Sequence, residues 1–586
     1  MTKRGPDHQN TKSFKITKTK NLNIFFSRLK VIDLSDSANQ PFIYDDTVLA
    51  FNGEIYNYLE IKKILVTKGY KFKTTSDTEV LTKAIHFWGE KVFEKLEGMW
   101  AIFYHNFKTN KTILSRDRFG EKPLFYFDDR INFFFGSEIN YIRKMSQKKF
   151  DINYTKIKDF LYYGYKCLFR NNDTFFKKIK SVNRGEYIIF KSGKFQRRKK
   201  YYRVKDYLDE KSSYNVIKNN LANSIKIRLR SDVPIAHQLS GGIDSNTVAT
   251  ISSKKFGQKL NTFSIVSKDK KFQETKNINL TVNENKFKHN NISINHKKIN
   301  FLHTLNKLIN YYNSPVYTTT SLMNFILMQK IKKKKFKVVI SGIGGDEIFS
   351  GYYHHYLMDL IQNSNSKIYK KKLNDWRKYI RPLTRNKLLQ NETVFKSKDN
   401  IYKYVFQNFK WKKDLFLKSD NFKLKKYRFE NFCKNQFKNR LMNELFNEVI
   451  PVVLHQDDLN AMYFSIENRA PLLDSKLVNS VVNYKTNEFI KNGYAKNILR
   501  DIAKKYVNKK LLFQREKIGF NIQLNTILNT KDKSFNSFIN KKSKIYSIVK
   551  KEKIINMINN IKNLDGEENN FIFNFISCKK FIENFK

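Results

Sequence analysis

The pattern of hydrophobic and polar positions divides the chain into stretches that predict different secondary structure. From about residue 20 to 200, short β-rich segments alternate with turns, and helical spacing appears only at Tyr56 to Lys68 and Asp77 to Phe87. The β-rich segments are residues 22–32, 47–51, 100–104, 112–115, 131–135 and 186–190. This pattern predicts an α+β layered domain, which we place at residues 1–205.

From about residue 211 helices alternate with isolated apolar strands, as in βαβ folds. The strands predicted at residues 233–239 and 336–340 each run into a loop of small residues, and each loop contains one aspartate. The pattern beyond residue 355 is mainly helical, and a Lys-, Asn- and Ile-rich stretch follows at the end. We therefore predict an α/β parallel-sheet domain at residues 211–525 and a C-terminal extension at 526–586.

Composition and charge narrow the classes of protein. The 586 residues are too many for one core, and 40% hydrophobic content excludes global disorder. The net charge is +59, but its lysines are spread along the chain without basic motifs and exposed aromatics in between, so we predict a solvated surface and no nucleic-acid partner. Three scattered cysteines favour neither disulfides nor zinc, and no long apolar run or signal peptide appears. We expect a cytoplasmic protein with no membrane partner.

The two aspartate-containing loops predict a nucleotide site. A strand, then Ser240-Gly241-Gly242, then a helix forms a cradle in which backbone N–H groups and a helix N-terminus bind phosphate. The spacing matches neither the Walker pattern nor GxGxxG. Asp244 in such a loop would repel phosphate unless Mg²⁺ lay between them. We therefore predict that Asp244 and Asp346 hold Mg²⁺ on a nucleotide pyrophosphate.

Ordered motifs over about residues 4 to 520 carry a family resemblance. Those in the second half are SGGIDS at 240–245, LNTFSI at 260–265, SGIGGDEIFSGY at 341–352, SIENRAPLLD at 465–474, KNILR at 496–500 and REKIGF at 515–520. Those in the first half are RGPD at 4–7, SRL at 27–29, FNGEIYN at 51–57, SDTE at 76–79 and RDRFGEKPL at 116–124. The chain resembles the glutamine-hydrolysing asparagine synthetases, which join a class II glutamine amidotransferase domain to a synthetase domain of the ATP pyrophosphatase type.

For the second domain the resemblance implies that ATP and Mg²⁺ are used to adenylate the side chain of aspartate, after which ammonia displaces AMP. Catalysis would involve Lys517, Asp244 and Asp346, with both aspartates binding Mg²⁺. The ATP and pyrophosphate site would comprise Leu239, Ser240, Gly241, Gly242, Ser245, Ile265, Ser341 and Gly342.

For the first domain the resemblance implies an N-terminal-nucleophile αββα sandwich that hydrolyses glutamine. The glutamine site would comprise Arg28, Asn52, Gly53, Glu54 and Asp77. The family's nucleophile is a cysteine at the mature N-terminus, but the first cysteine here is Cys167. We expect either a sequence truncated at its start or a natural loss of glutaminase activity, with ammonia as the nitrogen donor of this chain.

Three positions depart from the family pattern, and two alternatives follow. Ile343 replaces a usually acidic residue, Asn246 a frequent serine, and Leu459 a frequent arginine. The acceptor could therefore be another carboxylate, or the chain could be a catalytically impaired homologue with a binding or regulatory role. His354 and His355 lack a carboxylate at ligand spacing, so we do not expect a metal there. Family members often form homodimers, and we expect a homodimer as one state of this chain.

Overall fold

The computed structural model describes residues 2–16, 19–208, 210–266, 274–294, 299–406, 410–417, 427–517 and 522–586. Ile518, Gly519 and Phe520 of the REKIGF motif lie outside the described residues. The strands are β1 His8–Lys15, β2 Asn21–Arg28, β3 Phe42–Tyr44, β4 Thr47–Ile55, β5 Gly98–Asn106, β6 Lys111–Arg116, β7 Phe125–Asp128, β8 Phe133–Gly136, β9 Lys180–Ser181, β10 Glu186–Lys191, β11 Lys194–Lys200, β12 Ile235–Gln238, β13 Asn261–Val266, β14 Lys288–Ser293, β15 Val338–Ile340 and β16 Glu467–Arg469.

The described α-helices are most numerous in the second half of the chain. They are α1 Tyr58–Thr67, α2 Asp77–Trp88, α3 Val92–Lys95, α4 Ile139–Ser146, α5 Tyr154–Tyr163, α6 Tyr214–Arg228, α7 Ile243–Lys254, α8 Thr275–Asn285, α9 Phe301–Tyr312, α10 Thr319–Lys333, α11 Gly345–Phe349, α12 Tyr353–Gln362, α13 Tyr369–Asp375, α14 Lys398–Val405, α15 Lys410–Leu415, α16 Gln436–Asn443, α17 Ile450–Tyr463, α18 Ser475–Val482, α19 Asn497–Ala503, α20 Lys509–Leu512, α21 Leu524–Ile527, α22 Lys533–Asn540, α23 Lys551–Asn559 and α24 Gly566–Asn584. Wider π-helical turns lie at Trp376–Ile380 and Glu444–Glu448.

The first half of the chain is built in layers around two antiparallel sheet layers. One is a six-stranded sheet in the order β11-β10-β6-β5-β4-β3, and the other contains the pairs β1-β2 and β8-β7-β9. Side chains such as Ile24, Ala50 and Phe103 form the apolar layer between them. Helices α1 and α2 cover the other face of the six-stranded sheet, while α4 packs on β7 and β8. Alternating burial along the strands produces these two apolar faces.

The second half contains a parallel sheet in the order β14-β13-β12-β15-β16, which confirms the parallel sheet expected there. Strand β12 pairs directly with β15, with Ile235 opposite Val338 and His237 opposite Ile340. Parallel neighbours end at the same edge of a sheet, so the loops that follow β12 and β15 are adjacent. This adjacency brings Asp244 and Asp346 to one place.

Buried charges join the two halves. Arg228 on α6 contacts Glu97 of the first half at 3.3 Å and Asp474 of the second at 3.0 Å, and the Arg228 side chain is fully buried. Asp458 on α17 binds Arg4 at 2.9 Å and Lys122 at 3.3 Å, again across the two halves. Buried charges need partners to offset desolvation, so each pair depends on the other half being in position.

The C-terminal helix α24 packs against both halves. Ser577 accepts a hydrogen bond from the backbone N–H of Val316 at 2.7 Å. The Phe581 ring lies 5.8 Å from that of Phe175 and 5.4 Å from that of Phe176, which belong to the first half. Much of the helix is buried although the sequence pattern there shows no motif. Within the described part of the chain, no helix has the length and apolar character that crossing a membrane requires.

The buried ion pairs between the two halves lead to a stability prediction. Replacing Arg228 with Met leaves Asp474 buried without its cation and Glu97 with only Arg118, which lies 3.9 Å away, so we expect the free energy of unfolding to fall by about 3–5 kcal/mol. The control is Glu60→Gln, which removes the charge partner of Arg230 from a half-exposed pair and should cost at most about 1 kcal/mol. Urea unfolding checks both values, and a loss below about 1 kcal/mol for Arg228→Met would contradict the prediction.

Candidate active site

The loop between β12 and α7 has the form of an anion cradle. The Ser245 hydroxyl accepts a hydrogen bond from the Ser240 backbone N–H at 3.1 Å and lies 3.0 Å from the Ser240 hydroxyl. The Gly242 N–H donates to the Ser240 hydroxyl at 3.2 Å. Helix α7 begins at Ile243, so the unpaired N–H groups of its first turn border the same loop. The loop can therefore bind a phosphate group.

Asn246, one of the three departures, stabilises this loop. Its side-chain amide donates to the backbone carbonyl of Ser240 at 2.8 Å and to that of Gly242 at 2.6 Å. The Thr281 hydroxyl donates to the Asn246 side-chain oxygen at 2.5 Å. Asparagine at this position thus ties the loop to helices α7 and α8 from within.

Two ammonium groups meet the two predicted aspartates. The Lys496 Nζ lies 2.6 Å from Asp244 Oδ2 and 2.6 Å from Asp346 Oδ1, so it bridges them. The Lys517 Nζ lies 2.5 Å from Asp346 Oδ2 and 3.8 Å from the centre of the Tyr352 ring. Asp244, Asp346 and Lys517 were predicted from the sequence, and the structure brings them together.

Two glycines permit this approach. A Cβ atom on Gly345 would lie 2.3 Å from Asp244 Cγ, and one on Gly351 would lie 1.8 Å from Asp346 Oδ1 and 2.3 Å from Lys496 Cε. Heavy atoms cannot come so close, so any other residue at either position would displace a charged group. The small-residue loop that the sequence singled out is therefore required by packing around the carboxylates.

The two aspartates differ electrostatically. Burial raises the pKa of Asp244, and the repulsion of Asp346 adds to this effect against the attraction of Lys496. Burial also acts to raise the pKa of Asp346, but the ammonium groups of Lys496 and Lys517 outweigh it and lower that pKa. The same carboxylates hold the pKa of Lys496 above its usual range in spite of burial. At neutral pH Asp346 and Lys496 are charged.

The donor set fits Mg²⁺. Carboxylate oxygens are hard ligands of the kind that Mg²⁺ takes, together with phosphate oxygens and water. The Oδ1 atom of Asp244 is buried without a hydrogen-bond partner in the described part of the chain, so it has ligand capacity to spare. Asp244 and Asp346 are the residues that would hold the ion, and the Lys496 ammonium lies between them in the protein alone.

The remaining nucleotide-site predictions lie at the same edge of the sheet. Leu239 is buried beside β13, where its N–H donates to the Phe263 carbonyl at 2.9 Å, and Ile265 lies on that strand. Ser341 donates its backbone N–H to the Arg469 carbonyl at 3.0 Å. A Cβ on Gly342 would lie 2.8 Å from the Ser245 nitrogen, so the two loops touch. Their roles toward ATP stay predictions.

Sequence reasoning assigned no role to two residues of this site. Lys496 opens the KNILR motif, but one lysine in a lysine-rich chain carries little information by itself. Glu274 accepts a hydrogen bond from the Gly241 N–H at 2.8 Å, which places a carboxylate on the phosphate loop. Both contacts join residues far apart in sequence, and only the fold reveals them.

The predicted glutamine residues lie in the first half on β2, β4 and the first turn of α2. Both terminal nitrogens of Arg28 donate within the chain, to the backbone carbonyls of residues 32, 33 and 35 and to the Asn39 side chain. Asp77 accepts from the Ile55 N–H at 3.0 Å, and burial raises its pKa to about 6. Arg28 and Asp77 thus support neighbouring loops, and their contact with glutamine stays a prediction.

Asn52, Gly53 and Glu54 lie on β4 next to β5. The Asn52 amide donates to the Ser137 hydroxyl at 3.1 Å, and a Cβ on Gly53, whose φ is +148°, would lie 2.0 Å from the Met99 carbonyl oxygen. Glu54 is buried, and burial raises its pKa. Its Oε2 lies 3.6 Å from Arg469, whose carbonyl accepts from Ser341. Arg469 therefore contacts one residue of each predicted site, Glu54 of the glutamine site and Ser341 of the nucleotide site.

His354 and His355 lack a carboxylate at ligand spacing in the sequence, but the fold brings one to them from a distant segment. His354 Nε2 lies 2.6 Å and His355 Nε2 2.7 Å from the two oxygens of Glu444 on the π-helical turn, and all three residues are buried. The Tyr352 N–H donates to His355 Nδ1 at 3.2 Å, so the His355 proton lies on Nε2 and points at Glu444. With Arg440 also 3.3 Å from that carboxylate, the cluster is satisfied as an ion-paired network.

The two other departures differ in position. Leu459 on α17 is buried in the main apolar core, and Ile343 in the second loop packs partly against that core. The second loop thus offers an apolar side chain where the family resemblance implies a carboxylate.

Comparison with known proteins decides the family. The family model for asparagine synthase matches residues 216–571, beyond the boundary predicted at 525, and a glutamine amidotransferase domain matches residues 1–202. The chain belongs to the asparagine synthase family. An enzyme of the ligase class, predicted from the motifs, is thereby confirmed.

Individual relatives agree with this asparagine synthase assignment. A Methanocaldococcus jannaschii protein named glutamine-hydrolyzing asparagine synthetase 2 is 31% identical over 386 residues, which cover 61% of this chain and 73% of that protein. The glutamine-hydrolyzing asparagine synthetase 1 of Bacillus subtilis is 29% identical over 332 residues, 56% of this chain but only 51% of that protein. A Gibberella zeae protein named amidase chry2 is 31% identical over 255 residues, 40% of this chain and 35% of that protein.

A solved structure of the allosteric regulatory enzyme of purine biosynthesis shares 16% identity over 41% of this chain and 50% of that chain. Its TM-score is 0.23.

The Lys496 bridge leads to a metal-binding prediction. In Lys496→Met, Asp244 and Asp346 face each other without an intervening cation, so we expect a lower Tm in EDTA than for the wild type. Addition of Mg²⁺ should then raise the Tm more in the variant than in the wild type, because the Lys496 ammonium no longer competes for Asp244 and Asp346. Lys504→Met is the control, because it alters the exposed ion pair between Lys504 and Asp501 at the other end of α19, the helix that Lys496 precedes. Differential scanning calorimetry measures each shift, and equal Mg²⁺ responses in the variant and the wild type would disprove competition.

Proposed function

We propose that the chain forms an amide from a carboxylate, ammonia and ATP, with aspartate as the carboxylate and asparagine as the product. The observation that supports this is the convergence of Asp244, Asp346, Lys496 and Lys517 beside a Ser-Gly-Gly loop at a helix N-terminus. Such a set suits a reaction that releases pyrophosphate, because the cations and N–H groups stabilise the negative charge that develops on the leaving group.

The proposed chemistry has two steps. The aspartate side-chain carboxylate attacks the α-phosphorus of ATP, the bond to the bridging oxygen breaks, and pyrophosphate leaves with that electron pair. Ammonia then attacks the acyl carbon, AMP leaves, and the nitrogen releases a proton. Mg²⁺, when bound, supplies positive charge to the pyrophosphate.

The residues of the chain take distinct parts in this scheme. The backbone N–H groups of the Ser240 loop and the Ser245 hydroxyl bind the pyrophosphate oxygens, and Glu274 must first release the Gly241 N–H. Lys517, oriented by Asp346 and the Tyr352 ring, stabilises charge on the phosphoryl group that is transferred.

A small cavity, with room for about one water-sized molecule, lies between the two halves, where a path for ammonia would run in this proposal. It is lined by Met99, Glu121, Lys122, Leu454, Asp457, Asp458, Asn468 and Ala470. Met99 lies opposite Glu54 on the neighbouring strand, and Asn468 pairs with Val339 at the base of the second nucleotide loop. The cavity thus lies between the strand of the predicted glutamine site and the strand of the synthetase site.

The first half, in this proposal, is an N-terminal-nucleophile αββα domain that supports glutamine hydrolysis in the family. Burial raises the pKa of Cys167 to about 12, so this thiol stays protonated and is unsuited to act as a nucleophile. Ammonia is the nitrogen donor that we propose for the synthetase half. Homodimer formation and a cytoplasmic location stay predictions.

One residue and one relative support a second candidate for the carboxylate that accepts ammonia. Ile343 supplies an apolar side chain in the second loop, and a relative over 40% of the chain bears an amidase name. A carboxylate on a different, less polar substrate is therefore the second candidate, with the same activation chemistry.

Pyrophosphate release tests the proposed reaction. With ATP, Mg²⁺, aspartate and ammonium chloride, we expect the wild type to release pyrophosphate and to produce asparagine. Lys517→Met should lower kcat at least about 100-fold, since it removes a charge that acts on the transition state. Glutamine in place of ammonium reports the amidotransferase half. Aspartate-independent pyrophosphate release, or none with ammonium, would refute asparagine formation.

Restoring acidity to the second loop tests the acceptor. If aspartate is the acceptor, Ile343→Glu should raise aspartate-dependent turnover, because the resemblance implies a carboxylate near the reacting centre. Ile343→Gln, similar in size but neutral, is the control. Product analysis by mass spectrometry checks the outcome, and equal turnover in both variants and the wild type counts against aspartate.

A further inference from the structure

Arg515, two residues before Lys517, lies between two aromatic rings. Its guanidinium carbon is 3.9 Å from the ring centre of Tyr379 and 3.9 Å from that of Tyr494. Two rings cannot occupy the same face of one guanidinium at that distance, so the group is held between them. The rings come from separate segments, the π-helical turn at Trp376–Ile380 and the turn before α19.

The backbone is adapted to this stack. Gly493 has φ of +73°, and a Cβ there would lie 3.0 Å from Tyr379 Cδ2 and 3.3 Å from Arg515 Nε. The Tyr356 hydroxyl accepts from the Ala495 N–H at 2.9 Å and donates to the Gly493 carbonyl at 3.3 Å, which fixes the turn on both sides of Tyr494. Arg515 also donates to the Asn492 carbonyl at 3.2 Å. The turn therefore leaves room for the guanidinium and holds one of its rings.

The stack connects the two lysines of the candidate site. Tyr494 lies two residues before Lys496, and Arg515 lies two residues before Lys517, while both lysines contact Asp346. Lys517 itself has few other supports: its N–H donates to the Tyr353 hydroxyl at 3.3 Å, and its Nζ lies over the Tyr352 ring. Its side chain is about 30% exposed, so the contact with Asp346 alone is partly open to water.

We infer that Arg515, stacked between Tyr379 and Tyr494, is a positioning residue that holds Lys517 beside Asp346 and in register with Lys496. The inference rests on the proposed function, in which Lys517 acts on the transferring phosphoryl group. Arg515 acts only through Lys517 and does not itself contact the aspartates of the site. A planar guanidinium between two rings restricts rotation of the segment in a way that a flexible ammonium does not.

The kinetic test compares Arg515→Leu with Lys517→Met in pyrophosphate release. Arg515→Leu should lower kcat by about 10- to 100-fold while KM for ATP changes less than about threefold. The double variant should be no slower than Lys517→Met, because Arg515 acts through that lysine. Tyr379→Phe and Tyr494→Phe keep the rings and should stay near the wild type, and Arg515→Lys should restore only part of kcat. Glu516→Gln, between the two residues, is the matched control.

A second measurement separates the inference from the proposed function. After reductive ¹³C-methylation of the lysines, the methyl signal of Lys517, assigned with Lys517→Arg, should show the ring-current shift expected over the Tyr352 face. Arg515→Leu should remove that shift, and Glu516→Gln should keep it. If the wild type releases no pyrophosphate, the proposed reaction fails while this signal still tests the stack. An unchanged shift in Arg515→Leu, or kinetic losses that multiply in the double variant, overturns the inference.

Discussion

Two carboxylates brought together by adjacent parallel strands form the constraint on which the site depends. Asp244 and Asp346 follow β12 and β15, and the pairing of those strands brings the loops that carry them together. Two carboxylates that both contact one ammonium lie close enough to repel each other strongly when that cation is absent. Lys496 supplies that cation in the protein alone, and the glycines at 345 and 351 clear the space. The parallel sheet thus brings two negative charges together, and Lys496, just before α19, supplies the cation that offsets their repulsion.

The same requirement for charge balance extends to the seam between the halves. Arg469 is fully buried and lies 2.9 Å from Glu467 and 3.6 Å from Glu54, while its carbonyl binds Ser341. Arg228 and Asp458 balance charges of both halves in a similar way. Because these groups are desolvated, a change in the orientation of one half would expose a charged group of the other half to water or leave it buried without its partner. Buried ion pairs therefore hold the two halves in position against each other.

The sequence predicted the local parts of this arrangement well. A strand followed by small residues and an aspartate is a short-range pattern, so both nucleotide loops and the adjacency of Asp244 and Asp346 could be predicted. The helices at α1 and α2 and most of the strands in the first half follow the hydrophobic spacing. Roles that depend on distant partners could not be predicted: Lys496, the Glu274 contact with the phosphate loop, and Glu444 as the partner of two histidines. In a chain with 112 lysines and arginines, residue type alone does not show which of them contact the buried carboxylates.

The packing of α24 has a consequence for how the chain folds as it is made. Phe175 and Phe176 face a helix that the ribosome synthesises about 400 residues later, which at typical translation rates takes on the order of half a minute. During that interval the first half presents an uncovered aromatic surface to the cell. Packing of α24 then covers these rings and completes the core around them. The core of the first half is therefore completed only after α24 has been synthesised.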